Sequence, residues 1–255
     1  MLTALVANAP TANAQSDDGL TLVELYTSQG CSSCPPANTV LGAVAARGDV
    51  LALSFSVDYW DYLGWRDTFA RPEFTARQRA YMARMSTRSV YTPQMVIDGR
   101  FDVVGSNRSR VTNALDQAAN DRAKRAPRVT PDIRMDAKTR NHVHVRIPDG
   151  APPPDGAADI WYATYTPGRT VVRVRAGENR GRSVEHFNVV TKLARMGEWT
   201  GAARAFDIPL NPGEALAVFL QCADFGEIFS ATTYRSAEAD RAQASTVAAQ
   251  YGDQG

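Results

Sequence analysis

Cys31 and Cys34, separated by Ser32 and Ser33, are the residues whose type and spacing most directly permit chemistry in this chain. Two thiols three positions apart at a turn close a disulfide with little backbone movement, so the pair can pass between dithiol and disulfide. The thiolate is the nucleophile in such exchange, and the free N–H groups at a helix start favour it. Cys31, at the predicted helix N-cap, is therefore assigned attack, with a pKa below the free value of about 8.5, and the more shielded Cys34 is assigned resolution. Zinc is a poorer fit, because Cys222 and three histidines without ligand spacing are the only further soft ligands. A static disulfide bracing a loop stays open at this point. So does copper handling by both thiolates, with Met95 or a histidine as a further soft ligand.

The elements that must hold the pair can be read around it. Leu20 to Tyr26 and Val50 to Val57 are strand-like runs. Between them a helix is predicted through Ala37, Val40, Leu41, Val44 and Ala45, with Pro35 and Pro36 tolerated because first-turn N–H groups have no intrahelical partner. The result is a β-α-β unit with a parallel strand pair. Residues 58–89 form an insertion in which Phe74, Gln78, Tyr81, Met82 and Met85 fall near helical spacing, with Arg77, Arg79, Arg84 and Arg88 on other positions. Its first part, Asp58 to Trp65, packs aromatic rings and carboxylates together, and Trp60 and Trp65 are candidates to line a groove beside Cys31. Ser89 to Gly105 reads as a hairpin turning at Asp98-Gly99, with Pro93 directly before its first strand. Ser106-Asn107 is placed to cap a helix from Arg108 through Ala123.

A strand–CxxC–helix unit followed by Thr92-Pro93 ahead of an apolar strand resembles the thioredoxin-like superfamily, which places a cis-proline beside its dithiol. The stretches Val23 to Ala37, Val57 to Trp65 and Tyr91 to Met95 look like an uncharacterised family of bacterial secreted proteins with a thioredoxin-like domain, a domain of unknown function. Gly177 to Arg182 and His186 to Val190 extend that likeness, which covers about Leu20 to Phe229. The resemblance implies that Thr92 and Pro93 hold a substrate backbone against the dithiol. It also implies that Glu24 stands near the buried acid of thioredoxins and relays the Cys34 proton. Seven positions separate Glu24 from Cys31, one more than in the thioredoxin pattern.

The C-terminal half reads as β-rich. Val143, Val145 and Ile147 alternate with His142, His144 and Arg146, and further strands are predicted at Trp161 to Thr166, Thr170 to Arg175, Arg204 to Leu210 and Leu216 to Cys222. A small sandwich fits this pattern. Gly177 to Arg182 is turn-like, with both arginines directed to water, and Cys222 is read as a small apolar residue of a buried strand. The predicted fold is thus α/β: a leader at 1–17, a thioredoxin-like domain with a helical insertion at 18–126, a β-rich sandwich-like region at 127–235, and a tail at 236–255 for which a helix is one option.

Composition narrows the function. The 28 basic and 27 acidic residues leave a net charge of +1, so no global field draws the chain to nucleic acid or anionic lipid. No apolar run reaches the roughly 18 residues of a membrane-spanning helix. Met1 to Ala14, with Ala12-Asn13-Ala14 before Gln15, resembles the end of a secretory signal and its A-x-A cleavage site. The reading is a thiol–disulfide oxidoreductase of the periplasm or a secreted one, acting without cofactor or metal on exported protein disulfides or small thiols. Cys31, Cys34 and Glu24 are its catalytic residues, and Thr92, Pro93, Trp60 and Trp65 its substrate-binding residues. A non-enzymatic binding protein with a structural disulfide is the other alternative. Nothing in the sequence assigns an oligomeric state.

Overall fold

The computed structural model describes residues 19–125, 128–136 and 141–236. The leader predicted at 1–17 and the tail predicted at 236–255 lie outside the described residues, Ser236 excepted. The strands β1 (Thr21–Thr27) and β2 (Val50–Ser56) run parallel, connected by the helix α1 (Pro35–Ala45). Both strands are buried along their whole length, as expected of sheet strands covered on both faces. The insertion contributes a single 3-10 turn at Asp61–Leu63 and the helix α2 (Pro72–Arg84). The hairpin β3 (Gln94–Ile97) and β4 (Phe101–Val104) turns at Asp98-Gly99 as predicted. Helix α3 (Arg108–Ala123) follows, and the Asn107 side chain accepts a hydrogen bond from the Arg110 N–H at its start.

Among the described residues seven further strands follow: β5 (Asp132–Met135), β6 (His142–Ile147), β7 (Ala158–Arg173), β8 (Ser183–Trp199), β9 (Arg204–Pro209), β10 (Ala215–Cys222) and β11 (Ile228–Tyr234). Eight strands share one mixed sheet in the order β11-β10-β7-β8-β2-β1-β3-β4, and β5-β6-β9 make a second, smaller sheet. Of the strands predicted for a C-terminal sandwich, Trp161 to Arg175 and Leu216 to Cys222 join the N-terminal strands in a common sheet, through the Ser54–Val189 bridge of β2 and β8, while those at 143–147 and 204–210 lie in the smaller sheet. Trp161 to Arg175, read as two strands, is largely the single long strand β7, with register shifts where Pro167 and Gly168 interrupt the ladder.

Alternation along β1 divides its side chains between two cores. Leu22 and Tyr26 point toward α2 with Phe55, Phe74 and Tyr81. Val23 and Leu25 point toward α1 and α3 with Ala37, Leu41, Met95 and Val111. Farther along the sheet, Val143, Val145 and Ile208 of the small sheet pack against Tyr162, Leu216 and Val218 of β7 and β10. Phe187 of β8 lies so close over Gly42 of α1 that a Cβ there would come within 2.7 Å of its ring, so α1 is pressed directly onto β8.

Candidate active site at the Cys31–Cys34 pair

Cys31 and Cys34 form a disulfide with a Cα–Cα distance of 5.4 Å at the turn between β1 and α1. Cys34, not Cys31, is the N-cap residue: α1 begins at Pro35, and Cys31 sits one turn earlier, its carbonyl accepting the Cys34 N–H at 3.2 Å. The two prolines at the helix start have no N–H to give, and the Ala37 and Asn38 N–H groups both bond the Cys34 carbonyl. Few helix-start donors are thus left for a Cys31 thiolate. The Ser33 hydroxyl, 3.3 Å from Cys31 Sγ, is a local donor the sequence reading overlooked. Both cysteines are fully buried, whereas Ser32 and Ser33 are exposed.

The segment leading to Cys31 is held from three sides. The Gln29 N–H donates to Asp67 Oδ2 at 2.7 Å, while the Gln29 side chain accepts from Trp65 Nε1 at 2.9 Å and donates to Thr68 Oγ1 at 3.0 Å. Trp60 packs against Gly30 and donates from Nε1 to Thr92 Oγ1 at 2.8 Å. The Thr92–Pro93 bond is cis, as predicted, and the next residue, Gln94, pairs with Tyr26 near the end of β1. The third side comes from the turn between β7 and β8. Asn179 Nδ2 donates to the carbonyls of Gln29, at 3.0 Å, and of Cys31, at 2.8 Å, and Glu178 Oε2 accepts the Ser32 N–H at 3.0 Å. Trp60 and Trp65 therefore stand against the dithiol loop, and Thr92 is linked to it through its bond with Trp60, followed by the cis Pro93. Asn179, Glu178, Gln29 and Asp67 join them without having been singled out as site residues.

Glu24 is placed elsewhere. Its carboxylate accepts from Arg77 Nε at 2.6 Å and from the hydroxyls of Tyr81 and Tyr26, on the face turned toward α2. A one-residue shift along a strand moves a side chain to the opposite face, so the extra position between Glu24 and Cys31 points this acid away from α1. Leu25 stands at the six-residue separation and faces α1. Arg77, whose spacing sets it off the apolar positions of α2, is nevertheless buried and lies over the rings of Tyr81, Trp161, Phe219 and Phe225. Burial opposes its charge, but the Glu24 carboxylate holds the guanidinium protonated, with its pKa raised above the usual value. Glu24 thus closes a buried ion pair and does not face the dithiol's side of the sheet.

Two titratable groups near the dithiol loop have displaced pKa values. Burial pushes the Asp67 carboxyl up to about 6, against the opposing effect of the N–H groups of Gln29 and Phe69. Burial brings His186, whose ring meets that of Phe69 edge-on at 5.4 Å, down to about 4. Both ring nitrogens of His186 lack a hydrogen-bond partner. Of the soft atoms considered for copper, Met95 is buried in the core beneath α1, and His142 and His144 lie on β6 in the small sheet. Among the described residues no three His, Cys, Asp or Glu side chains cluster as metal ligands do. Cys222 is a half-buried free thiol at the end of β10, its pKa pushed up by burial.

The crystal structure of a protein from Agrobacterium tumefaciens, solved as a structural-genomics target, is 32% identical, covers 84% of this chain and 92% of its own, and superposes with a TM-score of 0.69. An endonuclease/exonuclease/phosphatase from Beutenbergia cavernae, 15% identical over 41% of this chain and 22% of its own with a TM-score of 0.21, has no bearing on the fold or the function. No curated protein matches the chain. The family described as "Protein of unknown function (DUF1223)" matches residues 22–221, which contain β1, the dithiol, the Trp60–Trp65 loop and the turn bearing Asn179, and the chain belongs to that family.

Proposed function

We propose that this protein is a thiol–disulfide oxidoreductase of the bacterial cell envelope, with a thioredoxin-like arrangement of dithiol, helix and cis-proline. The observation that carries the reading is the Cys31–Cys34 disulfide at the start of α1, its loop backbone fastened by side-chain hydrogen bonds from two separate segments, Asp67 and the turn bearing Glu178 and Asn179. A bracing disulfide needs no such surroundings, whereas a reacting one needs its sulfurs aimed. In the reductive direction, the Cys31 thiolate attacks one sulfur of a substrate disulfide, and the other sulfur leaves as a thiolate that takes up a proton. Cys34, deprotonated, then attacks Cys31 Sγ, releasing the second substrate thiol and closing the protein disulfide; two electrons have passed to the substrate. The oxidative direction is the reverse. The Ser33 hydroxyl donates to the Cys31 thiolate, and Trp60, Trp65, Thr92 and Pro93 form the surface against which the substrate backbone lies. No membrane-spanning helix is found among the described residues, and the disulfide is consistent with an oxidising compartment. These features support the periplasm as the place of action.

Trapping tests the proposal. Cys34→Ser should accumulate mixed disulfides between Cys31 and partner proteins on non-reducing gels, and Cys31→Ser should not. Equilibration in glutathione redox buffers should give one reversible two-electron transition. Absence of adducts, together with no exchange with protein disulfides, would leave a structural disulfide; stoichiometric copper on the reduced protein, lost in both variants, would establish metal handling instead.

A further inference from the structure

Both sulfurs of the disulfide are inaccessible to solvent, although Ser32 and Ser33 between them are exposed. Exchange requires an attacking sulfur to approach in line with the S–S bond, so a disulfide without access does not react. The backbone around them is held partly by the far half of the chain. Asn179, fully buried, uses both hydrogens of its amide on the carbonyls of Gln29 and Cys31, and its Oδ1 accepts weakly from Arg182 Nη1 at 3.4 Å. Glu178 takes the Ser32 N–H, and that bond holds its carboxyl below the usual range. Gly177, at φ +71°, rests against Trp65 and Leu63, so the turn also meets the aromatic loop. The turn itself is tied at its base, where the Val174 N–H donates to the Arg182 carbonyl and the Gly181 N–H to the Val174 carbonyl.

We infer that the β7–β8 turn is a gate over the Cys31–Cys34 disulfide, latched by Asn179 and Glu178, and that a partner reaches the sulfurs only when the latch releases. The inference rests on the oxidoreductase reading for its biological meaning and supplies the regulation of that site. Three side-chain hydrogen bonds hold the closed turn, all of them to backbone atoms of residues 29–32. None involves a sulfur, so the turn can lift without disturbing the S–S bond. Release also removes the Glu178 carboxylate from the Ser32 N–H, taking a negative charge from beside Cys31 and freeing a donor for its thiolate. Opening therefore exposes the sulfur and favours its anion in one movement.

The test is the rate at which excess dithiothreitol reduces the oxidised full-length protein, followed by quenched alkylation and mass measurement. One dithiothreitol thiolate attacks Cys31 Sγ and expels the Cys34 thiolate; its second thiol displaces Cys31, leaving the cyclic oxidised reagent. Asn179→Asp replaces the two donors with a carboxylate facing two carbonyl oxygens and should raise the rate about tenfold. Glu178→Ala, a change at an exposed side chain that leaves the core intact, should raise it about two- to threefold even if the Asn179 variant folds poorly. Rates equal to wild type in Glu178→Ala and in any folded Asn179 variant would overturn the gate. So would wild-type reduction as fast as that of an unstructured peptide carrying Cys-Ser-Ser-Cys. Insulin reduction by the same proteins separates the two ideas. Faster dithiothreitol reduction in the variants with no insulin turnover in any protein would leave the gate and remove the enzyme. Equal insulin turnover with unchanged dithiothreitol rates would leave the enzyme and remove the gate.

Discussion

The two faces of β1 solve the problem of a buried polar group in opposite ways. Toward α2, Glu24 and Arg77 are fully buried as a charge pair, closed by Tyr26 and Tyr81, with Gln221 Nε2 donating to the Tyr81 hydroxyl and to the Gly226 carbonyl. Beside the dithiol, at the far end of the strand, no buried ion pair is found among the described residues; the Asp98–Arg122 pair lies at the start of β1. Thr27 donates to Asn38, Asn38 donates to the Glu185 carbonyl, and the dithiol loop hangs from the Asn179 amide and from the carboxylates of Asp67 and Glu178. The first arrangement leaves the carboxylate with no unmet valence and makes it a fixture of the fold. The second leaves sulfurs, a displaced carboxyl and an unpartnered imidazole in low dielectric, where each can change state. The two charges buried toward α2 neutralise each other, although Arg77 Nη1 has no hydrogen-bond partner, and the groups able to change state gather at the dithiol.

The sharpest way to break that comparison is Arg77→Met, which strands the Glu24 carboxylate in the core. It should cost about 3–5 kcal/mol in denaturant unfolding, and Glu24→Gln combined with Arg77→Met should recover most of the loss, because a buried pair is worth little beyond its own mutual satisfaction. The rate of disulfide reduction in the folded fraction should not change in either variant. A changed rate would show that the α2 face communicates with the dithiol.

Next in size is the pH dependence of stability. Asp67 has a native pKa of about 6 against 3.8 unperturbed, so its contribution is present below about 4 and is lost as pH rises through about 6. His186 has a native value of about 4 against 6.5, so its contribution is present above about 6.5 and is lost as pH falls toward about 4. The slopes oppose each other over the same interval, each worth at most about 3 kcal/mol at 1.36 kcal/mol per unit. In the wild type they should largely cancel. Relative to it, Asp67→Asn should gain stability as pH rises from about 4 to about 6, and His186→Phe should lose it. Unfolding curves of the three proteins across that range check the signs, and parallel curves would place both groups among the satisfied ones.

The smallest effect concerns Trp60→Phe. It keeps the ring but loses the bond to Thr92 Oγ1, and should cost about 1 kcal/mol. On the proposed function it should also raise the KM for a peptide disulfide more than it lowers kcat, since Trp60 positions the substrate surface and touches no sulfur. An unchanged KM would remove Trp60 from that surface.

Local signals in this chain were legible without coordinates. The CxxC spacing, Pro35 and Pro36 at a helix start, the Asp98-Gly99 turn and the Asn107 cap act within a few residues, and each element they mark is present. The side of the sheet on which Glu24 stands was also encoded, in the odd extra residue before Cys31, because strand parity alone reverses a side chain's face. Its partner was not: Arg77 lies 53 residues away on a helix whose other arginines face outward, and only packing α2 over the aromatic rings selects it. The same holds for β8, which the alternation of apolar residues did not announce, and for Asn179, 148 residues from the Cys31 carbonyl it holds. Periodicity and capping are chemistry of near neighbours, so the dithiol and its flanking elements follow from residues close by in the chain. Strand pairing across the sheet is not local, and the pairing of β8 with β2, which brings the Asn179 turn onto the carbonyls of Gln29 and Cys31, emerges only when the whole sheet assembles.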